Sequence, residues 1–209
     1  MEYITSSDFH FKDTAVALGK FEGIHRGHQL LMDEVKKQEL HGLRSVVFTF
    51  DRPTRLTLTG DTEYKQIYTK KERREILEKR GIDILIEHPF TKEFAALTPD
   101  RFIREVLVEK VGAKVIVVGT DFHFGKNRSG SITDLEKLEE ECGYHLIVVE
   151  KLQLNGKDIS STRIRASLEK GAMEEAKALL GRNYSVSGEI LHGNALGRTI
   201  QVPTINQQV

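Results

Sequence analysis

One segment, Ala15 to Val35 (AVALGKFEGIHRGHQLLMDEV), constrains the chain more than any other. Its apolar opening, Ala15, Val16, Ala17 and Leu18, suits a buried parallel strand, and Leu30, Leu31 and Val35 recur at helical spacing. Between them lie Gly19, Gly23 and Gly27, which suit tight turns and close approach of a ligand to the backbone. The segment therefore reads as strand, Gly-rich turn and helix.

The charge at that turn is out of place. His25, Arg26 and His28 sit where the helix should begin, yet a helix N-terminus has free N–H groups and a partial positive charge that disfavour cations. Broken local rules are commonest at functional sites. A polyphosphate would resolve this one, because it accepts from N–H groups, imidazolium and guanidinium together. Two plainer readings remain open. The histidines are surface residues, or His25 and His28 hold a metal, for which no third ligand follows at helical spacing.

The rest of the chain repeats the alternation. Tyr3 and Ile4 suit a short edge strand; Ser45–Phe50, Ile82–Ile86, Lys114–Val118 and His145–Val149 read as strands. Helices are expected from Thr69 with Glu72, from Thr98-Pro99-Asp100 and from Ser131 with Asp134. Residues 54–68 show no period and read as a long loop or flap over the site. Strand–helix alternation through residue 150 predicts an α/β, Rossmann-like, doubly wound parallel sheet, with ligands beyond the carboxyl ends of the strands.

Composition narrows the setting. The 209 residues suffice for one or two domains with a real core, and 31 Lys and Arg against 31 Asp and Glu leave no net charge. That balance argues against a nucleic-acid-coating surface while leaving room for a local anion pocket. A single cysteine, Cys142, excludes an internal disulfide and fits a reducing compartment. There is no signal-peptide pattern and no apolar run long enough to span a bilayer. The expectation is a cytoplasmic protein with no membrane and no nucleic-acid partner.

Two further segments carry chemistry. After the fourth strand comes GTDFHFGKNRSG, residues 119–130. Asp121 suits a ribose or base amine, Phe122 or Phe124 a flat ring, and Lys126 and Arg128 phosphate; a solvated basic loop with one Phe in the core is the bland alternative. Then ISSTRIR, residues 159–165, puts Arg163 and Arg165 in the first turn of a helix that runs to Lys170 and stops at Gly171. Each such cation costs only ~0.3–1 kcal/mol, but two helix starts broken in the same way suggest one triphosphate bridging them.

With these segments quoted, GKFEGIHRGH and ISSTRIR resemble the two signatures of the HxGH nucleotidyltransferase superfamily. VVGTDFHFGKNRSG narrows the likeness, and LLGRNYSVSGEILHGNALGRTIQVPTIN resembles the start of a riboflavin kinase module. Together they resemble the prokaryotic bifunctional FAD synthetases. The resemblance implies ATP + FMN → FAD + diphosphate in residues 1–183. It implies catalytic roles for His25, His28 and Arg165. It implies nucleotide contacts from Gly19, Phe21, Gly23, Asp121, Ser160, Ser161 and Thr162, and flavin contacts from Phe124, Arg128 and Pro53. Mg²⁺ is expected on the phosphates, mostly water-ligated. Another HxGH adenylyl- or cytidylyltransferase, or a non-catalytic flavin- or nucleotide-binding remnant, are the competing expectations.

Departures matter too. Glu22 stands where the family often has Asp, and Arg52-Pro53-Thr54 differs from the usual run after the second strand. Ser185–Ile190 reads as a strand that begins a truncated β-barrel arm over residues 184–209, followed by a His-Gly-Asn turn. Thr204 and Asn206 resemble nucleotide and Mg²⁺ ligands that would serve only in an intact kinase domain. A barrel needs all its strands to close, and unpaired edges favour association through the arm. We therefore expect these 209 residues not to convert riboflavin to FMN, an outcome that chromatography of the reaction mixture checks directly.

Overall fold

The computed structural model describes residues 1–52 and 65–191, together with the backbone pairing of residues 206 and 207. Six strands form one sheet: β1 (Glu2–Ile4), β2 (Thr14–Leu18), β3 (Arg44–Phe50), β4 (Ile84–His88), β5 (Ala113–Gly119) and β6 (His145–Val149). Their spatial order is β1-β4-β3-β2-β5-β6, and every pair is parallel. The chain moves outward from β2 through β3 and β4, then crosses back to β5 and β6. The switch point of this doubly wound sheet is thus the crevice between β2 and β5, where such folds place their ligands.

Helices cover both faces. They are α1 (Arg26–Lys37), α2 (Lys70–Lys79), α3 (Lys92–Ala95), α4 (Pro99–Arg101) and α5 (Ile132–Cys142). All five residues of β2 are buried, and they alternate. Val16 and Leu18 pack with Phe102, Ile103, Leu107 and Leu135 on one face; Ala15 and Ala17 pack with Met32, Val35 and Leu77 on the other. The two-residue period of a strand thereby feeds two separate cores. Capping boxes at Thr69–Glu72 and Ser131–Asp134 start α2 and α5 as expected. A buried carboxylate also ties α2 to the sheet: Glu87 on β4 accepts from Arg73, Arg74 and the Tyr3 hydroxyl.

Beyond the sheet, the hairpin β7 (Gln153–Leu154) with β8 (Lys157–Asp158) leads into α6 (Ser161–Glu169) and α7 (Met173–Leu180). These helices share a third core with Ile67 and Tyr68.

The structure departs from expectation in several places. Strand β4 begins at Ile84 rather than Ile82, because the Asp83 carboxylate is engaged by the Ser45 backbone N–H at 2.9 Å. The helix capped by Thr98 widens after α4 into π spacing over Phe102–Lys110, with Val111 N–H donating to the Val106 carbonyl. The strand expected over Ser185–Ile190 is reduced to β9 (Ile190–Leu191), paired antiparallel with β10 (Asn206–Gln207). The residues before it are drawn onto the N-terminal unit instead: Tyr184 Oη donates to the Ile67 carbonyl at 3.1 Å, and Ser187 N–H donates to Glu72 at 2.7 Å. No barrel is present among the described residues. The flap, Pro53 and Thr204 fall largely or wholly outside the described residues. So do the expected His-Gly-Asn turn and most of the arm proposed for association.

Gly112 shows how tightly the N-terminal segment is seated. It has φ +66°, and a Cβ there would lie 2.2 Å from the Phe11 carbonyl oxygen. Gly143 has φ +69° and open space around it. Gly112→Ala is expected to cost about 2–6 kcal/mol, adding left-handed strain to an overlap, whereas Gly143→Ala should cost only about 1–2 kcal/mol. Urea unfolding midpoints of the two variants check the difference.

Candidate active site

The loop leaving β2 is strained, though not at its glycines. Phe21 (φ 45°) and Ile24 (φ 42°) are both fully buried in the left-handed region, a conformation that costs a non-glycine residue ~1–3 kcal/mol. Gly19, Gly23 and Gly27 have no positive φ. Their missing Cβ atoms make room. One at Gly19 would sit 3.1 Å from the Phe21 ring, one at Gly27 would sit 3.3 Å from the His25 ring, and one at Gly23 would sit 3.1 Å from Ile67 and 3.7 Å from Ser161 Oγ. Side chains from far along the chain hold the loop. Gln29 Nε2 and Arg182 Nη1 donate to the Ile24 carbonyl at 2.9 and 2.8 Å, and Arg182 Nη2 donates to the Gly23 carbonyl at 2.9 Å.

His25 caps α1. Its Nδ1 accepts the His28 backbone N–H at 3.2 Å, so the ring proton of the neutral form lies on Nε2 and is left to donate. The His28 ring stacks on it with centroids 3.7 Å apart, and Phe21 closes the other side edge-on at 5.0 Å. Burial, reinforced by the Arg182 charge and opposed by Asp121, pushes His25 down to about 4. Burial, with His25 beside it, also holds His28 well below the ordinary imidazole value. The free site therefore presents two neutral imidazoles. Desolvation overrides the expected charge, and a neutral ring serves as a helix cap without opposing the dipole. Among the described residues His28 Nδ1 is buried without a partner.

The second motif arrives from the C-terminal side. Ser160 caps α6, accepting the Arg163 N–H at 3.3 Å. Arg163 turns away and clamps Glu175 and the Leu154 and Lys157 carbonyls, so it is a packing residue. Arg165 turns inward and meets Glu22, its Nη2 lying 3.0 and 2.9 Å from the two carboxylate oxygens. Glu22 precedes His25 by three residues, a reach of at most about 11 Å. Arg165, Ser161 and the two histidines thus converge on one loop. Thr162 is exposed at the same helix start.

The loop after β5 forms the facing wall. Asp121 is exposed, paired with Lys151 at 3.1 Å, and near enough to influence His25. Phe124 is buried at 7% exposure against Phe102 and Phe122, with ring centroids 5.4 Å away from each. Gly130 leaves space for its ring. Phe124 therefore packs into the core and backs the half-buried Phe122. Asn127 (φ 55°) and Arg128 (φ 58°) are both left-handed, and Arg128 is exposed. Burial lowers the pKa of Lys20, with Arg128 and Arg165 adding to the effect. Lys20, Arg128 and Arg165 therefore lie within electrostatic reach of one another, with the Glu22 carboxylate among them partly offsetting their charge.

Lys20, Gln29 and Arg182 were not singled out from sequence. Lys20 lies inside the quoted motif and marks itself by its charge. Gln29 and Arg182 gave no signal, because their partners are backbone carbonyls.

Residues 8–163 match the family model described as FAD synthetase, and residues 180–209 match that described as riboflavin kinase. A protein of Listeria monocytogenes, named bifunctional riboflavin kinase/FMN adenylyltransferase, is 34% identical over 99% of this chain and 66% of its own length. Proteins of the same name from Buchnera aphidicola (Schizaphis graminum) and Escherichia coli K12 are 33% and 34% identical over 93% and 91% of this chain. They are covered over 63% and 61% of their lengths, so the chain spans less than two thirds of these relatives. A solved structure described as a macrolide-efflux protein from Streptococcus pneumoniae superposes with a TM-score of 0.86 at 32% identity, over 99% of this chain and 68% of that one. Among the described residues no helix here is long and apolar enough to cross a membrane.

The buried histidines make stability pH-dependent. A His whose folded pKa lies at about 4, against 6.5 in the unfolded chain, contributes stability that is complete above pH 6.5 and lost as pH falls to about 4. The loss at His25 alone is on the order of 3 kcal/mol, and His28 and His88, both lowered mainly by burial, add to it in the same direction. Urea denaturation at pH 7.5 and pH 4.5 should show the drop. His25→Asn, which keeps a capping acceptor but cannot titrate, should make the drop smaller by the His25 share and leave the part due to His28 and His88.

Proposed function

The chain belongs to the FAD synthetase family, and from that premise we propose that it transfers the AMP moiety of ATP to FMN, giving FAD and diphosphate. The observation that carries this reading is the meeting of the two motifs: Arg165 on Glu22, and Ser161 beside Gly23, at the β2/β5 switch point. A bridging triphosphate needs donors from both helix starts, and the contacts of Arg165 with Glu22 and of Ser161 with the Gly23 position support that reading.

The chemistry asks little of a general base. The FMN phosphate is itself the nucleophile; its oxygen forms the new bond to the α-phosphorus, the α–β P–O bond breaks, and the electron pair leaves on the diphosphate. Catalysis then consists of aligning two anions and stabilising the charge that develops. In this reading His25 donates from Nε2 and His28 donates from the ring stacked beneath it. Two stacked imidazoles resist double protonation, so they begin as neutral donors and gain proton affinity when phosphate arrives. Ser160, Ser161, Thr162 and Arg165 receive the β and γ phosphates, while Gly19, Phe21 and Gly23 shape the floor. Lys20 and Arg128 balance charge on the flavin-phosphate side. Asp121 faces the nucleotide, and Phe122, backed by Phe124, faces the flavin ring.

Mg²⁺ would enter with ATP. In this reading the ion is carried by the phosphates and water. The single free cysteine suits the cytoplasm as the place where this occurs.

Incubating the chain with FMN, ATP and Mg²⁺ should yield FAD and diphosphate on chromatography; other phosphorylated acceptors should give no adenylated product. His28→Ala should lower turnover by ~10²–10³, the scale of losing one preorganised donor. Unchanged FAD formation by that variant would remove His28 from the mechanism.

A further inference from the structure

The strained loop of the first motif is held by a residue that lies outside the FAD synthetase match. Arg182 belongs to residues 180–209, the stretch matching the riboflavin kinase model. Its guanidinium nonetheless reaches back to the Gly23 and Ile24 carbonyls at 2.9 and 2.8 Å. The way it gets there is specific. The Leu180 carbonyl at the end of α7 accepts from Gln29 Nε2 at 2.7 Å and from Arg182 Nη1 at 3.3 Å. Gly181, at φ +71°, then turns the chain so that residue 182 lies against the loop. The guanidinium also sits over the Tyr68 ring, 5.1 Å from its centroid.

A trans peptide points its N–H opposite its carbonyl. With the Gly23 and Ile24 carbonyls both turned toward Arg182, the N–H groups of Ile24 and His25 must face the other way. Among the described residues neither N–H has an acceptor. Successive free N–H groups at a left-handed residue make an anion-binding concavity, and Ile24 is such a residue. The guanidinium fork matches two adjacent carbonyls in a way that a point charge does not.

Resting on the adenylyltransferase reading, we propose that Arg182 is a positioning residue. By gripping two consecutive carbonyls, it aims the Ile24 and His25 N–H groups at the ATP phosphates. The first residues of the kinase-like segment are then a working part of the adenylyltransferase site.

The test uses the 209-residue chain with Arg182→Met, Arg182→Lys and Arg182→Ala, folding being checked by circular dichroism. ATP binding is measured by titration calorimetry without FMN, and steady-state kinetics give KM for each substrate. In Arg182→Met, ATP affinity and kcat/KM for ATP should fall about 10²-fold, the penalty of misplacing a site by about 1 Å, with KM for FMN unchanged. Arg182→Lys should recover only part of the loss, because an ammonium cannot fork two carbonyls. Added guanidinium ion should restore ATP binding to Arg182→Ala. Wild-type ATP affinity in Arg182→Met overturns the proposal, as does full recovery in Arg182→Lys. If Arg182→Met fails to fold, Arg182→Lys decides by the same measurement. A wild-type chain that binds ATP but makes no FAD sinks only the adenylyltransferase reading, and the Arg182 comparison by calorimetry still stands.

Discussion

A carboxylate and a guanidinium separated by 143 residues, Glu22 and Arg165, hold the candidate site together. Side-chain exposures of 11% and 21% leave both partly in water. The pair therefore falls short of the ~3–5 kcal/mol that breaking a fully buried pair costs. Its larger effect is geometric. It fixes the start of α6 against the loop after β2, and it sets a cation beside a helix start that already offers free N–H groups. Gln29 and Arg182 complete the arrangement from below by taking the carbonyls of the same loop. The strain at Phe21 and Ile24 persists because surrounding contacts over-determine it, as strained backbone at functional sites requires.

The electrostatics of the site follow from where charge is placed and where it is withheld. Lys20, Arg128 and Arg165 lie within electrostatic reach of one another around the Glu22 carboxylate, while burial lowers the proton affinity of the two imidazoles. An anionic ligand thus meets fixed positive charge at the rim and hydrogen-bond donors at the base. The donors cost no reorganisation, because the cap bond and the ring stack already set the orientation of His25.

The C-terminal segment is more than a connector. Arg182, Tyr184 and Ser187 all bond to the N-terminal unit, and Ile67, Tyr68, Leu179 and Leu180 share one core. Of these, Tyr184 and Ser187 lie beyond residue 183 and still bond to the N-terminal unit, at Ile67 and Glu72. A family-model match can begin at residue 180 while the physical unit that it joins began long before.

Sequence alone determined the alternation of strands and helices, the capping boxes at Thr69 and Ser131, and the two helix starts that bear His25–His28 and Ser160–Arg165. These are legible because each rests on residue type at short spacing: hydrophobic period, cap chemistry and glycine. Tertiary structure alone decided the rest. It drew Arg163 away to Glu175 and sent Arg165 to Glu22, two arginines that read alike in the sequence. It neutralised the histidines, since burial is a property of the packed site and not of the residue. It put positive φ on Phe21 and Ile24 instead of the glycines, and it brought Arg182 to carbonyls that leave no mark in a sequence, because every residue has one.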